Sequence, residues 1–435
     1  MKKILPLFIL FVGYSLQAQQ VQFEEYDLDN GLHVILHQDN TAPLVVTSVL
    51  YHVGAKDEKE DRTGFAHFFE HLLFEGTENI ERGKWFSIVT SNGGSNNAYT
   101  TDDFTYYYEV FPSNNLELGL WLESERMLHP VINEIGVETQ NEVVKEEKRL
   151  RYDNSPYGRW MEEVRSRVFT NHPYHRIPIG SMEHLDAAQL DEFIAFNQKY
   201  YIPNNAVLVV AGDLDIAKTK KMVHDYFNDI PAGAAITRNA AEEQPITEAL
   251  EGEAFDKNIQ VPALFTAYRI PDKTTRESKV LDMISTYLSD GNSSKLYRKL
   301  VDEKKMSLQV AAFNMSMEDY GVYVILTLPL GENSLAALRD EIDEEIEKIQ
   351  SEMISEKDYQ KLLNKFESSF VSSNSSVEGI ANSLAEYYTF YGDTNLINSE
   401  IDIYRSITRD EILQVAKKYL NPNQRLTLHY LPESK

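Results

Sequence analysis

The chain has no cysteine at all, which excludes disulfides, thiolate metal sites and cysteine nucleophiles together. Basic residues are also in short supply: 42 Lys and Arg stand against 68 Asp and Glu, a formal charge of -26. Such a surface repels nucleic acid, so no nucleic-acid partner is expected. Cationic substrates would be favoured if the acid groups lined a cavity, but a solvated acidic surface is the plainer explanation. Beyond the first twenty residues no segment approaches eighteen uninterrupted apolar residues, so no stable membrane span is expected.

The first twenty residues are the exception to that polarity. Lys2 and Lys3 lead into an apolar stretch, Ile4 to Leu16, which ends near the small residue Ala18. This is the pattern of a signal peptide, assigned to residues 1–18. The apolar core is short for a bilayer and is interrupted by Pro6 and Gly13, and no cysteine follows it for lipid attachment. The expectation is an exported protein of the bacterial periplasm, held together by its hydrophobic cores alone.

At 435 residues with 42% apolar and 25% charged side chains, the chain is globular and long enough for two or three domains. Strands are expected in FEEYDLDNGLHVILHQ, with Asn30-Gly31 as the turn, and in PLVVTSVLYHV and FTYYYEVF. Helical spacing begins near Arg62 and returns in NLELGLWLESERMLHPVI. The stretch Asp229 to Pro245, rich in Ala, Gly, Pro and polar residues, suits an exposed linker. Beyond it VPALFTAYRI has the pattern of a strand and ESKVLDMISTYLSDG that of a helix ending at Gly291.

A duplication is visible within the chain. Asp191, Glu192, Lys199, Tyr200, Pro203 and Asn204 recur 219 positions later as Asp410, Glu411, Lys418, Tyr419, Pro422 and Asn423. Six identities at one offset, in matching helix, turn and strand contexts, indicate two related domains. The expected fold class is α+β, with homologous sheet-plus-helix domains at 21–230 and 250–435 joined by a linker at 231–249.

The segment Gly64 to Thr77, GFAHFFEHLLFEGT, carries the chemistry. His67 and His71 are four apart, so on a helix their imidazoles lie one turn apart on one face and can share an ion; Glu70 lies on nearly the same face. Three protein ligands and one open position are what catalytic zinc requires, and a nearby carboxylate can then take a proton from water. With 11 histidines in the chain, H-x-x-E-H would arise by chance in on the order of a few in a hundred such chains. The competing explanation is a buried amphipathic helix, given Phe68, Phe69, Leu72, Leu73 and Phe74.

The order H-x-x-E-H is the inverted form of the commoner metallopeptidase motif, and here the chain resembles the pitrilysin and insulinase family of zinc peptidases. The resemblance extends over about residues 21–432 and matches the two-domain subunits of the mitochondrial-processing-peptidase type. It implies a zinc endopeptidase, half of a clamshell, with His67 and His71 as ligands and Glu70 as general base. In the family the third ligand is a glutamate some seventy-five residues further on. Glu147 lies 76 positions after His71 in ETQNEVVKEEKRLRYDN, with Glu146 as the competing candidate. On its own, a charged helix from Glu138 to Arg151 is usually a solvated face. One departure is Gln140, where the family often has another glutamate, seven residues before the ligand, whose loss would alter zinc affinity or the basicity of the water.

The segment Asn92 to Val110 also resembles the family, whose matching strand edge pairs with an extended substrate backbone. Asn97, Ala98 and Tyr99 would do this here, which implies peptide or unfolded polypeptide substrates without specifying a cleavage sequence. In the family's second half, an Arg and a Tyr seven residues later contact substrate. In SSKLYRKLVDEKKMSLQVAAF, from Ser293, those positions are Val301 and Leu308, and neither can donate a hydrogen bond. A homologous partner subunit supplying the missing pair is therefore expected, with a homodimer as the alternative. A non-catalytic structural or binding subunit of the same fold is the rival function. VLDMISTYL lacks the His-Glu-His set, so one zinc per chain is expected. His33, His37 and His52 are expected to be structural or surface residues.

Overall fold

The computed structural model describes residues 20–238 and 240–433; the segment assigned as signal peptide lies outside them. Among the described residues two mixed sheets form. The first comprises β1 (Glu24–Asp27), β2 (His33–Gln38), β3 (Leu44–Tyr51), β4 (Ser95–Thr100), β5 (Thr105–Pro112) and β6 (Ala206–Gly212), in the order β1-β2-β6-β3-β5-β4. The second comprises β7 (Leu250–Asp256), β8 (Ala263–Ile270), β9 (Ser307–Ser316), β10 (Gly321–Pro329) and β11 (Arg425–Pro432), in the order β7-β11-β8-β10-β9. Apart from β1 the orders correspond strand for strand, and β2 pairs with β6 in parallel as β7 does with β11.

The protein is thus a two-domain α+β fold, and the repeated identities occupy equivalent places in both halves. Asp191 and Glu192 lie in the first turn of helix Leu190–Tyr200, Pro203 opens the turn Pro203–Asn205, and β6 follows. Asp410, Glu411 and Pro422 do the same before β11. Acidic residues there complement the helix dipole, and proline suits a first-turn position whose N–H has no helical partner.

Strand β6, AVLVVAG, is buried throughout because both faces of its sheet are covered. Leu208 and Val210 join one core with Val34, Leu36, Val45 and Val49. Val207 and Val209 face the other way with Ile35, Val46 and Leu50, and the cover there comes from the other half of the chain. Helix Val377–Glu386 lays Ile380, Ala381, Leu384 and Ala385 on that face. Reciprocally, helix Trp160–Val168 puts Val164 and Val168 against Phe265, Val324, Leu426 and Leu428 of the second sheet. Each Ile, Leu or Val withdrawn from water is worth roughly 1.5–3 kcal/mol. The exchange therefore binds the halves tightly.

The segment 231–249 has no regular secondary structure among its described residues and most of them are exposed, yet it is tied to the fold at Glu243. The Glu243 carboxylate accepts N–H bonds from Thr170, Asn171 and His172, each at 2.7 Å, and pairs with Arg269 at 3.2 Å. These three N–H groups follow the end of helix Trp160–Val168 and need an acceptor, which pins the segment in place. Among the described residues no helix is long and apolar enough to cross a membrane.

Candidate metal centre

Helix Phe65–Leu72 is set by what precedes it. Gly64 has φ +94°, and a Cβ there would come within 2.9 Å of the Ile179 carbonyl oxygen, so glycine is required. The first N–H groups of a helix lack internal partners. Here the Glu58 carboxylate takes two, from Gly64 and Ala66, at 2.8 Å each. Burial pushes that carboxyl up to about 8, against the pull of the two N–H donors. Phe65, Phe68, Phe69 and Leu72 fill the core, with Phe65 stacked on Phe193 at 4.5 Å. That apolar face turns His67, Glu70 and His71 toward the facing helix.

The facing helix, Glu134–Lys148, begins with Asn133 accepting from the Gly136 N–H at 2.9 Å. It approaches the first closely: a Cβ on Gly136 would lie 3.3 Å from Leu72 Cδ1. Its buried Val144 joins the first core, which leaves Glu147, one turn on, pointing at the histidines. His71 Nε2 lies 3.1 Å and His67 Nε2 3.7 Å from Glu147 Oε2. Neighbouring Glu146 is exposed and pairs with Arg149 at 3.1 Å. The geometry therefore brings together Glu147, not Glu146.

His67, His71 and Glu147 each offer a ligand atom within 4.8 Å of the others, the one such group of three among the described residues. The protonation states suit a cation. Burial, with His71 second, holds His67 down to about 4, so its imidazole is neutral near neutral pH. Its Nδ1 is buried with no hydrogen-bond partner. Glu147 is held below the usual carboxylate range, first by its bond from His71, and its other oxygen meets Arg151 at 2.7 Å. Two imidazoles, that of His67 held neutral, and an ionised carboxylate are a zinc-type donor set.

Glu70 lies beside this set, with Oε2 4.0 Å from His67 Nε2. Burial raises its carboxyl, while Thr100 Oγ1 donates to Oε2 at 2.7 Å and fixes its direction. Thr100 ends β4, the outermost strand of the first sheet. Of the residues expected to meet substrate, Asn97 is exposed and Ala98 is buried, whereas the Tyr99 hydroxyl is committed to Asn382 of helix Val377–Glu386. Any role for Tyr99 toward substrate thus falls to its backbone.

Gln140 directs its amide to Glu75, which Arg82 also engages. Val301 is partly buried against the second core, and Leu308 is 51% exposed on β9. His33 bonds Asp27 and stacks on Tyr388, His37 meets the Gln22 carbonyl, and His52 meets Glu318. Thr100 and Glu58 carried no signal in the sequence, because their reach to the metal helix depends on how sheet and loop fold around it.

A family model described as "Insulinase (Peptidase family M16)" matches residues 33–180, which contain the whole cluster, and one described as "Peptidase M16 inactive domain" matches 187–366. The chain belongs to the insulinase family, peptidase family M16. This M16 chain is 28% identical over 432 residues to the zinc protease PqqE of Helicobacter pylori, covering 98% of this chain and 96% of that one. The crystal structure of a protease from Helicobacter pylori superposes with a TM-score of 0.91 at 28% identity, over 95% of this chain and all (100%) of that one. The fold is also that of the periplasmic protease PqqL of Escherichia coli, with a TM-score of 0.79 at 19% identity over 95% of this chain and 48% of that chain. The "inactive" model covers none of the residues His67, Glu70, His71 or Glu147.

Proposed function

We propose that this M16 chain is a zinc-dependent endopeptidase for peptides or unfolded polypeptides, with His67, His71 and Glu147 as ligands and Glu70 as general base. The observation that carries this is the convergence of two imidazoles and a carboxylate beside a second carboxylate held by Thr100. Bound zinc would supply Lewis acidity toward the scissile carbonyl and lower the pKa of water. Glu70 takes a proton from the attacking water and returns it to the leaving amine, a task suited to a buried carboxyl with a raised pKa. Thr100 keeps the Glu70 carboxylate aimed during both transfers. The free edge of β4 offers backbone groups to an extended peptide, which binds main chain irrespective of side chains.

Val301 and Leu308 bring no hydrogen-bonding side chain. The chain is therefore proposed to act as the catalytic subunit of a heterodimer, with a homologous partner completing the site, in the periplasm after export. The test is zinc content and cleavage of an unstructured peptide by the mature chain, alone and with candidate partner subunits, beside Glu70→Gln. Wild type is expected to bind one zinc, and Glu70→Gln to keep it while losing roughly 10²–10⁴-fold in kcat. A chain that binds no metal would instead be a non-catalytic structural or binding subunit. Full activity of the isolated chain would remove the heterodimer.

A further inference from the structure

The turns of two equivalent hairpins meet where the halves touch. The β4–β5 turn, Thr101–Phe104, is closed by the Thr101 N–H on the Phe104 carbonyl at 2.8 Å; the β9–β10 turn, Met317–Tyr320, is closed by the Met317 N–H on the Tyr320 carbonyl at 2.9 Å. The Glu318 N–H donates to Asp103 Oδ2 at 2.9 Å, and the Asp319 N–H to the Tyr174 hydroxyl at 3.1 Å. At the centre sits Lys56, its side chain 8% exposed, with Nζ 3.2 Å from Asp103, 2.8 Å from Glu318 and 3.0 Å from Asp319. His52 and His172 close the cluster on Glu318 and Asp319 at 2.7 and 3.2 Å.

The first-half turn is gripped from two further sides. The Ala55 and Lys56 N–H groups donate to the Thr101 and Asp102 carbonyls at 3.2 and 3.0 Å, and Arg165 engages the Asp102 carboxylate. The approach at Gly54 is so close that a Cβ would lie 2.3 Å from the Asp102 carbonyl carbon. Thr100, the residue just before this turn, is the one that holds Glu70. A hydrogen bond tolerates only tenths of an ångström before it weakens, so the position of the turn governs that of the Glu70 carboxylate.

We propose that the second-half hairpin tip, Glu318 and Asp319 on Lys56, is a positioning clamp that sets Glu70 through the turn Thr101–Phe104 and Thr100. This rests on the peptidase reading, and it gives the half without metal ligands a part in catalysis within its own chain. The clamp touches no substrate. It acts by fixing one end of the strand whose other residues line the peptide edge.

The test is a double-mutant cycle on peptide hydrolysis, run in whichever assembly makes wild type active, with zinc content measured alongside. Lys56→Met and Thr100→Val are each expected to lower kcat roughly ten- to hundred-fold, with zinc content unchanged and KM within about two-fold. If the clamp works through Thr100, Lys56→Met costs nothing further in the Thr100→Val background. Multiplicative losses, or full kcat in Lys56→Met, overturn the proposal. Should Lys56→Met fail to fold, Lys56→Met/Glu318→Gln/Asp319→Asn, which neutralises two of the three carboxylates that Lys56 meets, takes its place, and full kcat there is equally fatal. Wild type without activity would sink the peptidase reading and the positioning role with it. The clamp itself would still be read by amide exchange of Thr101–Phe104, which the triple variant is expected to accelerate.

Discussion

Replacing Arg126 by Met strands two carboxylates in the first core. Arg126 reaches Glu109 at 2.9 Å and Glu123 at 3.1 Å, and all three side chains are 0% exposed. Its guanidinium also lies 4.3–4.5 Å from the ring centroids of Phe74, Trp85 and Tyr107. Breaking a buried pair from one side costs about 3–5 kcal/mol, a large share of the roughly 5–15 kcal/mol that holds a typical fold. At about 2–4 °C per kcal/mol for domains of this size, Arg126→Met is expected to melt roughly 10 °C lower. The loss should shrink in acid. Burial, with Glu123 second, already holds Glu109 well above the usual carboxylate range, so the folded variant binds more protons than the unfolded chain, and stability falls as pH rises. Arg126→Met/Glu109→Gln/Glu123→Gln should recover most of it. The assays are thermal melts and urea titrations at pH 5 and pH 8. A loss under about 1 kcal/mol, or one that grows in acid, refutes the reasoning.

Glu147→Gln is expected to lose zinc measured after desalting, while Glu146→Gln keeps it; equal retention by both would displace Glu147 from the site. Burial works to raise the Glu318 and Asp319 carboxyls, but His52 and Lys56 on the one, and His172 and Lys56 on the other, outweigh it and hold each down to about 2. Their contribution is therefore complete above the unfolded value of about 4 and is lost as pH falls toward 2. Urea midpoints between pH 6 and pH 2 should fall less steeply in Lys56→Met/Glu318→Gln/Asp319→Asn than in wild type. Gly54→Ala should cost more than about 2 kcal/mol, because the new Cβ meets the backbone at Asp102 and not a side chain that can turn away; a circular-dichroism melt within 2 °C of wild type, at about 2–4 °C per kcal/mol, would contradict this.

What the sequence disclosed follows from the range of each interaction. His67, Glu70 and His71 are related by helical spacing, so a local pattern sufficed to group them. The duplicated helix, turn and strand were legible for the same reason. The preference for Glu147 over Glu146 rests instead on the family's spacing; adjacent helical residues point about 100° apart, and the burial of Val144 is the physical reason that Glu147 faces the histidines. Thr100, Glu58 and Lys56 gain their partners from sheet, loop and hairpin contacts that no local pattern encodes. Helices Trp160–Val168 and Val377–Glu386 have amphipathic patterns that call for a sheet without saying which one. The anchor of the exposed linker was hidden for the same reason: Glu243 answers N–H groups some seventy residues away.

The exchanged helices constrain how the chain can fold. The first sheet's residues are in hand by Gly212, but the helix that covers Ile35, Val46 and Leu50 begins only at Val377. Until most of the polypeptide has emerged, that apolar surface stays wet and open to other chains. Contacts this distant, such as Val21 with Asn398, slow the search and lengthen the exposure. A truncation before Val377 would leave the metal ligands present in a protein prone to aggregate, so solubility would vanish with the last helices well before any residue of the centre was touched.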